Sequence, residues 1–316
     1  MKKKFFDLWT STPILRRTEN YVFVWFGVIL GTVILFAVPT VLIMSHLLPN
    51  SAYTKFFYDF FKWWPLFSIG GSIFLFHDFW FKLNKFFKLI LSGKNVKWQR
   101  PGAVFYGGFI GSSILIFLLG NKYNLSTFYA LDFIFLIIPF YHGLSRLACL
   151  NYGCCYGKKC STDYFLKISF SHPDSEPVRH GIVKGTFLHP VQLYEGILCV
   201  LIGLLLVFLL GKVGSGKIFS VYLISYGIVR FFLEYFRDNT HEKVYFNLIS
   251  IWQVLSLVFL VVGVLLLYLL PQDDGLILMD NFTDFYLNDV AYLTIWNCLA
   301  ITLTFGLHFR KLGEPL

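Results

Sequence analysis

The amino-acid sequence predicts an all-α fold, a polytopic integral membrane helical bundle, on three observations. The 316 residues are 56% hydrophobic and 14% charged, where an ordinary soluble domain carries about 25% charged residues. Apolar runs recur that are long enough to cross a bilayer, which takes about 20 residues per helix. These runs are continuous, as in LCVLIGLLLVFLL at 198–210, and do not alternate as the strands of a membrane barrel do. Helices are then the spanning form, because backbone polar groups in lipid must be satisfied within the segment.

The chain opens on MKKKFF, but the first apolar run starts only at Tyr21. That run is too long for the core of a signal peptide and lacks a small-x-small cleavage site. Residues 1–20 therefore read as a basic arm lying on the membrane surface. Spans are predicted at 21–48, 64–81, 102–120, 126–145, 190–210, 218–236, 247–270 and 290–308, about eight crossings. Residues 21–270 form the membrane core, with a polar loop at 146–189. Residues 271–316 hold an acidic loop and an additional C-terminal helix.

The loops fall into two sets. The N-terminal arm, 82–100, 146–189, 237–246 and the C-terminal tail are long, basic and rich in Gly, His and Cys. The segments 49–63, 121–125, 211–217 and 271–289 are short or acidic, the last carrying Asp273, Asp274, Asp280, Asp284 and Asp289. Chemistry is expected at the first end, and the positive-inside rule puts that end in the cytoplasm. The net charge of +9 suits anionic lipid head groups. No nucleic-acid motif accompanies it, so no nucleic-acid partner is expected.

Polar residues inside apolar spans are costly and are functional candidates by default. His77 and Asp78 in FLFHDFWF, and Asp132 in YALDFIFL, are such residues. The plainer reading of each is a helix–helix hydrogen bond or a position near the interface, which leaves them secondary candidates. Stronger signals lie in four stretches. In SYGIVRFFLEYFRDN, Tyr226, Arg230 and Glu234 stand at i, i+4 and i+8 on one helical face. Arg230 there is either half of an ion pair tying helices together or a planar fork gripping phosphate oxygens. LHPVQLYEG opens a span, with Pro190 suited to a helix start and His189, Gln192 and Glu195 on its first turns. WQRPGAVFYGGFIGS places Gly107 and Gly108 where another helix or a lipid glycerol backbone can approach closely.

The fourth stretch, YHGLSRLACLNYGCCYGKKC at 141–160, puts His142 and Arg146 on one face near a helix end. Four cysteines follow, separated by four residues, none and four. Paired C-x-x-C spacing would signal zinc; this spacing does not, and no metal is expected. Disulfides require an extracytoplasmic side, and small packing residues remain the plain alternative.

Together these motifs resemble the prolipoprotein diacylglyceryl transferase family over residues 20–270. SRLACLNYGCCYG matches the family signature with Arg146, Ala148 and Gly157 in register, HPVQLYE is nearly identical to its His-Pro-Ser-Gln-Leu-Tyr-Glu, and YGIVRFFLEYFR matches its Tyr-Gly-x-x-Arg-x-x-x-Glu-Phe-x-Arg. The resemblance implies a seven-helix core, here with one helix added. It implies a bacterial cytoplasmic (inner) membrane location, no cofactor, and transfer of a diacylglyceryl unit from phosphatidylglycerol to the cysteine thiol of a lipoprotein precursor. Arg146 and Arg230 would neutralise the phosphate leaving group, with Glu234 supporting Arg230. The incoming thiol must lose its proton, because the thiolate is the nucleophile. A substrate-binding role carries over to Gly107, Gly108, Asn151, Gly157, His189, Gln192, Tyr194, Glu195, Tyr226 and Arg237.

The sequence departs from the family at defined places. Tyr106 in FYGG stands where the family has the histidine favoured as base. Cys149 and Cys154 stand at the signature's first Asn and its Glu, Tyr152 at its second Asn, with Asn151 one place earlier. VWFG replaces Arg-Trp-Tyr-Gly, with Val24 and Phe26 in place of Arg and Tyr. His142 is the replacement candidate for the base; Tyr106, with an ordinary pKa of about 10, is a hydrogen-bond donor instead. The resemblance puts the motif-bearing loops outside the cell and the charge count puts them inside. An inner-leaflet site would serve a small-molecule or lipid acceptor instead, and a third reading is a lipid-binding protein without catalysis.

Overall fold

The computed structural model describes residues 12–74, 105–238, 244–245, 249–270, 275–278 and 287–309. Long helices stand at each predicted span. They are α1 (Trp25–Ser45), α2 (Ala52–Phe74), α3 (Phe105–Tyr123) and α4 (Thr127–Tyr152). After a short α5 (Glu176–Arg179) come α6 (Val191–Leu209), α7 (Lys217–Leu233), α8 (Ile251–Leu269) and α9 (Leu287–Gly306). Apart from α5 they run from 17 residues in α7 to 26 in α4. Five of them, α1, α4, α6, α8 and α9, are long and apolar enough to cross a membrane by length and composition.

The outward faces say what surrounds them. Leu204, Leu205 and Phe208 on α6, Val258, Val261 and Leu265 on α8, and Ile295, Leu299 and Leu303 on α9 are all exposed. Only 17% of the apolar window of α8 is buried inside the protein. An apolar face of that extent is not tolerated in water, so lipid covers it. The chain is a multi-pass membrane protein.

Two boundaries differ from the sequence reading. The second helix starts at Ala52 and is described as far as Phe74, where a loop at 49–63 and a span at 64–81 are expected. Lys55, Asp59 and Lys62 disguise its start, but Tyr53, Phe56, Phe57, Phe60 and Phe61 are all buried, and their i, i+3, i+4 spacing is that of one helical face. The first span loses residues 21–24 to a strand. Strand β1 (Ile14–Arg17) turns back into β2 (Tyr21–Val24), which pairs with a C-terminal strand, Leu307–Phe309.

Among the described residues, members of the two sets of loops lie at opposite ends. At the first end, β3 (Ile168–Ser169) pairs with β4 (Phe187–Leu188), and β5 (Val244–Tyr245) with β6 (Ile249–Ser250). There Arg17 donates to Asp174 at 2.8 Å, joining the N-terminal hairpin to the 146–189 loop, and Gly157 bridges to Arg237. At the other end, Tyr123 donates to Asp59 at 2.7 Å and Tyr129 to the Ile277 carbonyl at 3.1 Å. The core between the ends is aromatic and aliphatic, with Leu42, Phe56, Phe57, Phe133, Leu206 and Tyr222 fully buried.

Asp132 takes the structural role open to it in the sequence. Its carboxylate is fully buried and accepts from the backbone N–H of Gly216 at 2.6 Å and of Phe219 at 2.8 Å. It thus caps the N-terminus of α7 from a neighbouring helix, where the helix dipole favours a negative charge. His77, Asp78 and the basic loop 82–100 lie outside the described residues.

Candidate active site

Three helix ends converge on the site. The last turns of α4 bring His142 and Arg146 to one face because i and i+4 share a side of a helix. The first turn of α6 supplies Gln192 and Glu195, and the last turns of α7 supply Tyr226 and Arg230. Gly143 and Gly196 let α4 and α6 approach: a Cβ on Gly143 would stand 2.6 Å from the Gly196 carbonyl oxygen, so a side chain there forces the helices apart.

Across that contact Arg146 Nη2 donates to Glu195 Oε1 at 2.7 Å, with the side chains 12% and 4% exposed. Tyr226 donates its hydroxyl to the same Oε1 at 2.8 Å. His142 Nε2 lies 2.8 Å from Arg146 Nη2. A guanidinium only donates, so Nε2 is the acceptor and the ring proton sits on Nδ1, which faces Cys199 Sγ at 3.6 Å. The helix dictates this tautomer through Arg146.

A second ion pair sits one element away. Arg230 Nη1 donates to Glu234 Oε2 at 2.6 Å, the side chains 6% and 1% exposed. Ser250 donates to the other oxygen, Oε1, at 2.9 Å, and Arg237 approaches Oε2 at 3.7 Å. Ser250 is also the N-cap of α8, in a capping box with Gln253. Glu195 lies within electrostatic reach of Arg230 as well as Arg146, so the two pairs form one charged floor. Burial of such pairs in low dielectric holds only while both partners are present.

The loop after α4 closes this floor. Gly153 ends α4 in the left-handed region, φ 85°, with its N–H on the Cys149 carbonyl at 2.8 Å, the usual glycine stop. Gln192 Nε2 donates to the Cys154 carbonyl at 2.8 Å, so the glutamine of HPVQLYE staples the loop to α6. The Lys158 N–H donates to the Phe236 carbonyl at 2.8 Å, next to the Gly157–Arg237 bridge, and ties the loop to the chain leaving α7. Tyr156, Ile168, Phe170 and Leu188 bury a small core beneath it.

His189 and Tyr194 stand at the rim, 3.3 Å apart between Nδ1 and the hydroxyl, with Tyr164 and Phe236 against the imidazole. Burial lowers the His189 pKa. Behind the loop, burial above all pushes the Glu176 carboxyl up to about 7, against the opposing charges of Arg179 and Arg237.

The sequence-predicted residues thus divide. His142, Arg146, Glu195, Tyr226, Arg230, Glu234 and Arg237 come together on the charged floor, with Gln192 and Gly157 holding the loop and Asn151 buried on the last turn of α4. Gly107 and Gly108 pack against α2, at Gly71, Ser72 and Ser68. Tyr106 is in the first turn of α3, and its side chain lies outside the described residues. Sequence reasoning missed Cys199 and Ser250. Cys199 stands four residues after Glu195 on the same face of α6, and Ser250 opens an S-x-x-Q capping pattern, so both signals were present.

The model of the family described as prolipoprotein diacylglyceryl transferase matches residues 13–269. A phosphatidylglycerol–prolipoprotein diacylglyceryl transferase of Clostridium tetani (strain Massachusetts / E88) is 30% identical over 164 residues, 52% of this chain and 62% of that protein. One from Ehrlichia ruminantium (strain Welgevonden) is 30% identical over 218 residues, 66% of this chain and 78% of the relative. Transferase 2 of Clostridium perfringens (strain 13 / Type A) is 34% identical over 173 residues, 53% and 61% of the two chains. The chain therefore spans less than two thirds of the length of the first and third of these relatives.

Proposed function

The chain belongs to the prolipoprotein diacylglyceryl transferase family, and on that premise we propose that it transfers a diacylglyceryl unit from phosphatidylglycerol to the cysteine thiol of a lipoprotein precursor. The observation that carries this reading is the pair of buried arginines, Arg146 and Arg230, each held by its own carboxylate on one floor. In the reaction the thiolate sulfur attacks the terminal glyceryl carbon, the carbon–oxygen bond to phosphate breaks, and glycerol phosphate leaves with the negative charge. Fixed donors aimed at the charge that develops are the largest contribution a site of this kind makes. Arg146 and Arg230 are placed to supply them.

Glu195 and Glu234 act as positioning residues. They hold the two forks in place before substrate arrives, so little reorganisation is left for the reaction. His142 holds Arg146 from the other side. Its Nε2 lone pair is spent on the guanidinium; a phosphate that draws Arg146 toward itself releases that lone pair to accept the proton of the thiol. His189, Tyr194, Gln192 and Gly157 shape the loop side, where the acceptor peptide approaches. Gly107 and Gly108 hold α3 against α2 at the lipid side.

The protein works in the bacterial cytoplasmic (inner) membrane, with residues 21–270 as its transferase core and the site end turned outward, where a secreted precursor is met. The excess of Lys and Arg at that end is then carried by long side chains reaching to anionic head groups. A short epitope inserted at Ser161 or at Asn121, both exposed and at opposite ends, and probed from each side of intact cells, tests this. Ser161 is expected outside. An inward Ser161, with label from phosphatidylglycerol appearing on a small acceptor and not on a lipobox peptide, overturns the proposal.

A further inference from the structure

The four cysteines of residues 149–160 have spacing that argues against a metal, yet the fold brings three of them together. The sulfurs of Cys149, Cys154 and Cys155 all lie within 4.8 Å of one another. Cys149 comes from the last turn of α4. Cys154 and Cys155 reach it because Gly153 reverses the chain at φ 85° and Cys155 itself adopts φ 58°. A non-glycine residue in that region is uncommon, and such strain gathers where a function requires it. Cys160 stands outside the group.

We propose that Cys149, Cys154 and Cys155 form a three-thiolate site for a thiophilic d10 metal ion, zinc or copper(I). Three sulfurs about 2.3 Å from a tetrahedral zinc are roughly 3.8 Å from one another, so the observed cluster closes on an ion with a shift of about an ångström. All three are free thiols, Cys149 buried and the other two half-buried. The surrounding charge fits. Arg146 Nη1 lies 3.9 Å from Cys149 Sγ, and Arg146 and Arg237 both act electrostatically on Cys155. Arg146, Arg230 and Arg237 stand against two carboxylates, Glu195 and Glu234, and the positive charge left over offsets the negative charge that three thiolates leave on a zinc ion.

Occupied, the site fixes the turn after α4 whose carbonyl at Cys154 anchors Gln192, and it places a metal–thiolate centre beside Arg146. Soft thiolates select d10 ions over magnesium or calcium. Metal binding releases the thiol protons to solvent, and no sulfur is oxidised.

The test uses the full chain, purified in detergent and freed of reductant, with cobalt(II) and zinc(II) as probes. One cobalt per chain with sulfur-to-metal charge-transfer absorption, displaced by zinc, is expected. In the unaltered protein zinc is expected to slow alkylation of Cys149, Cys154 and Cys155, read peptide by peptide by mass spectrometry, while Cys160 and Cys298 react as before. Cys155→Ser should abolish the bands and Cys160→Ser should keep them. Absence of the bands, equal alkylation with and without zinc, bands that survive Cys155→Ser, or air oxidation to a disulfide with no metal taken up would each overturn the assignment. None of these readouts depends on which acceptor the transferase uses.

Discussion

Arg146 on α4 and Glu195 on α6 meet at 2.7 Å across a helix contact that glycine on both sides makes possible. The same carboxylate oxygen also accepts from Tyr226 on α7 at 2.8 Å, so three helices are locked through one atom. Arg146→Ala removes the donor proposed to meet the phosphate. It is expected to lower kcat/KM on the order of 10²–10³, the usual cost of losing one such donor. Glu195→Gln keeps the arginine but loosens its aim and should fall between the two. Wild-type turnover by Arg146→Ala in reconstituted vesicles would remove Arg146 from the chemistry.

The second pair allows a graded test. Arg230→Ala should abolish transfer while the protein still inserts. Ser250→Ala removes one hydrogen bond to the Glu234 carboxylate and the N-cap of α8, together worth about 2–3 kcal/mol. Its expected result is a lower unfolding midpoint with only a modest loss of kcat. A Ser250→Ala variant as inactive as Arg230→Ala would mean that the hydroxyl itself touches substrate.

His142 separates binding from turnover. Its neutral ring accepts from Arg146 at 2.8 Å, and in the proposed mechanism that lone pair takes the thiol proton. His142→Ala is expected to reduce kcat by about 10²–10⁴, the range of general-base catalysis, and to leave KM for phosphatidylglycerol within a few-fold. If KM rises and kcat stays, His142 only orients Arg146.

Asp132 serves as the structural control. Asp132→Ala leaves the N–H groups of Gly216 and Phe219 buried without their acceptor, at about 1–3 kcal/mol. Thermal unfolding in detergent should shift down while kcat per folded molecule is unchanged. A specific loss of kcat would draw Asp132 into the mechanism.

These outcomes follow from features that differ in how far the sequence discloses them. Local rules sufficed where partners lie close in the chain: the i, i+4 pairs His142–Arg146 and Arg230–Glu234 both form as their spacing predicts. The helix at Ala52–Phe74 was hidden by its charges, although its buried aromatic face was periodic. Long-range contacts left no local trace. The pairing of β2 with residues 307–309 and the link from Asp132 to the start of α7 need the assembled fold. The thiol cluster was missed for another reason. Spacing rules for metal sites assume ordinary turns, and two left-handed residues, Gly153 and Cys155, bring together sulfurs that the spacing keeps apart.

The central claim is tested most directly by mass spectrometry of a lipobox peptide incubated with the purified chain in phosphatidylglycerol vesicles. The account predicts a peptide heavier by one diacylglyceryl unit, attached through a thioether to its cysteine, with an equal amount of glycerol phosphate released. It also predicts no product from the peptide with that cysteine changed to serine, and a rate from Arg146→Ala lower by about 10²–10³. Glycerol phosphate released with no modified peptide, or no turnover at all by the folded wild-type chain, would contradict it.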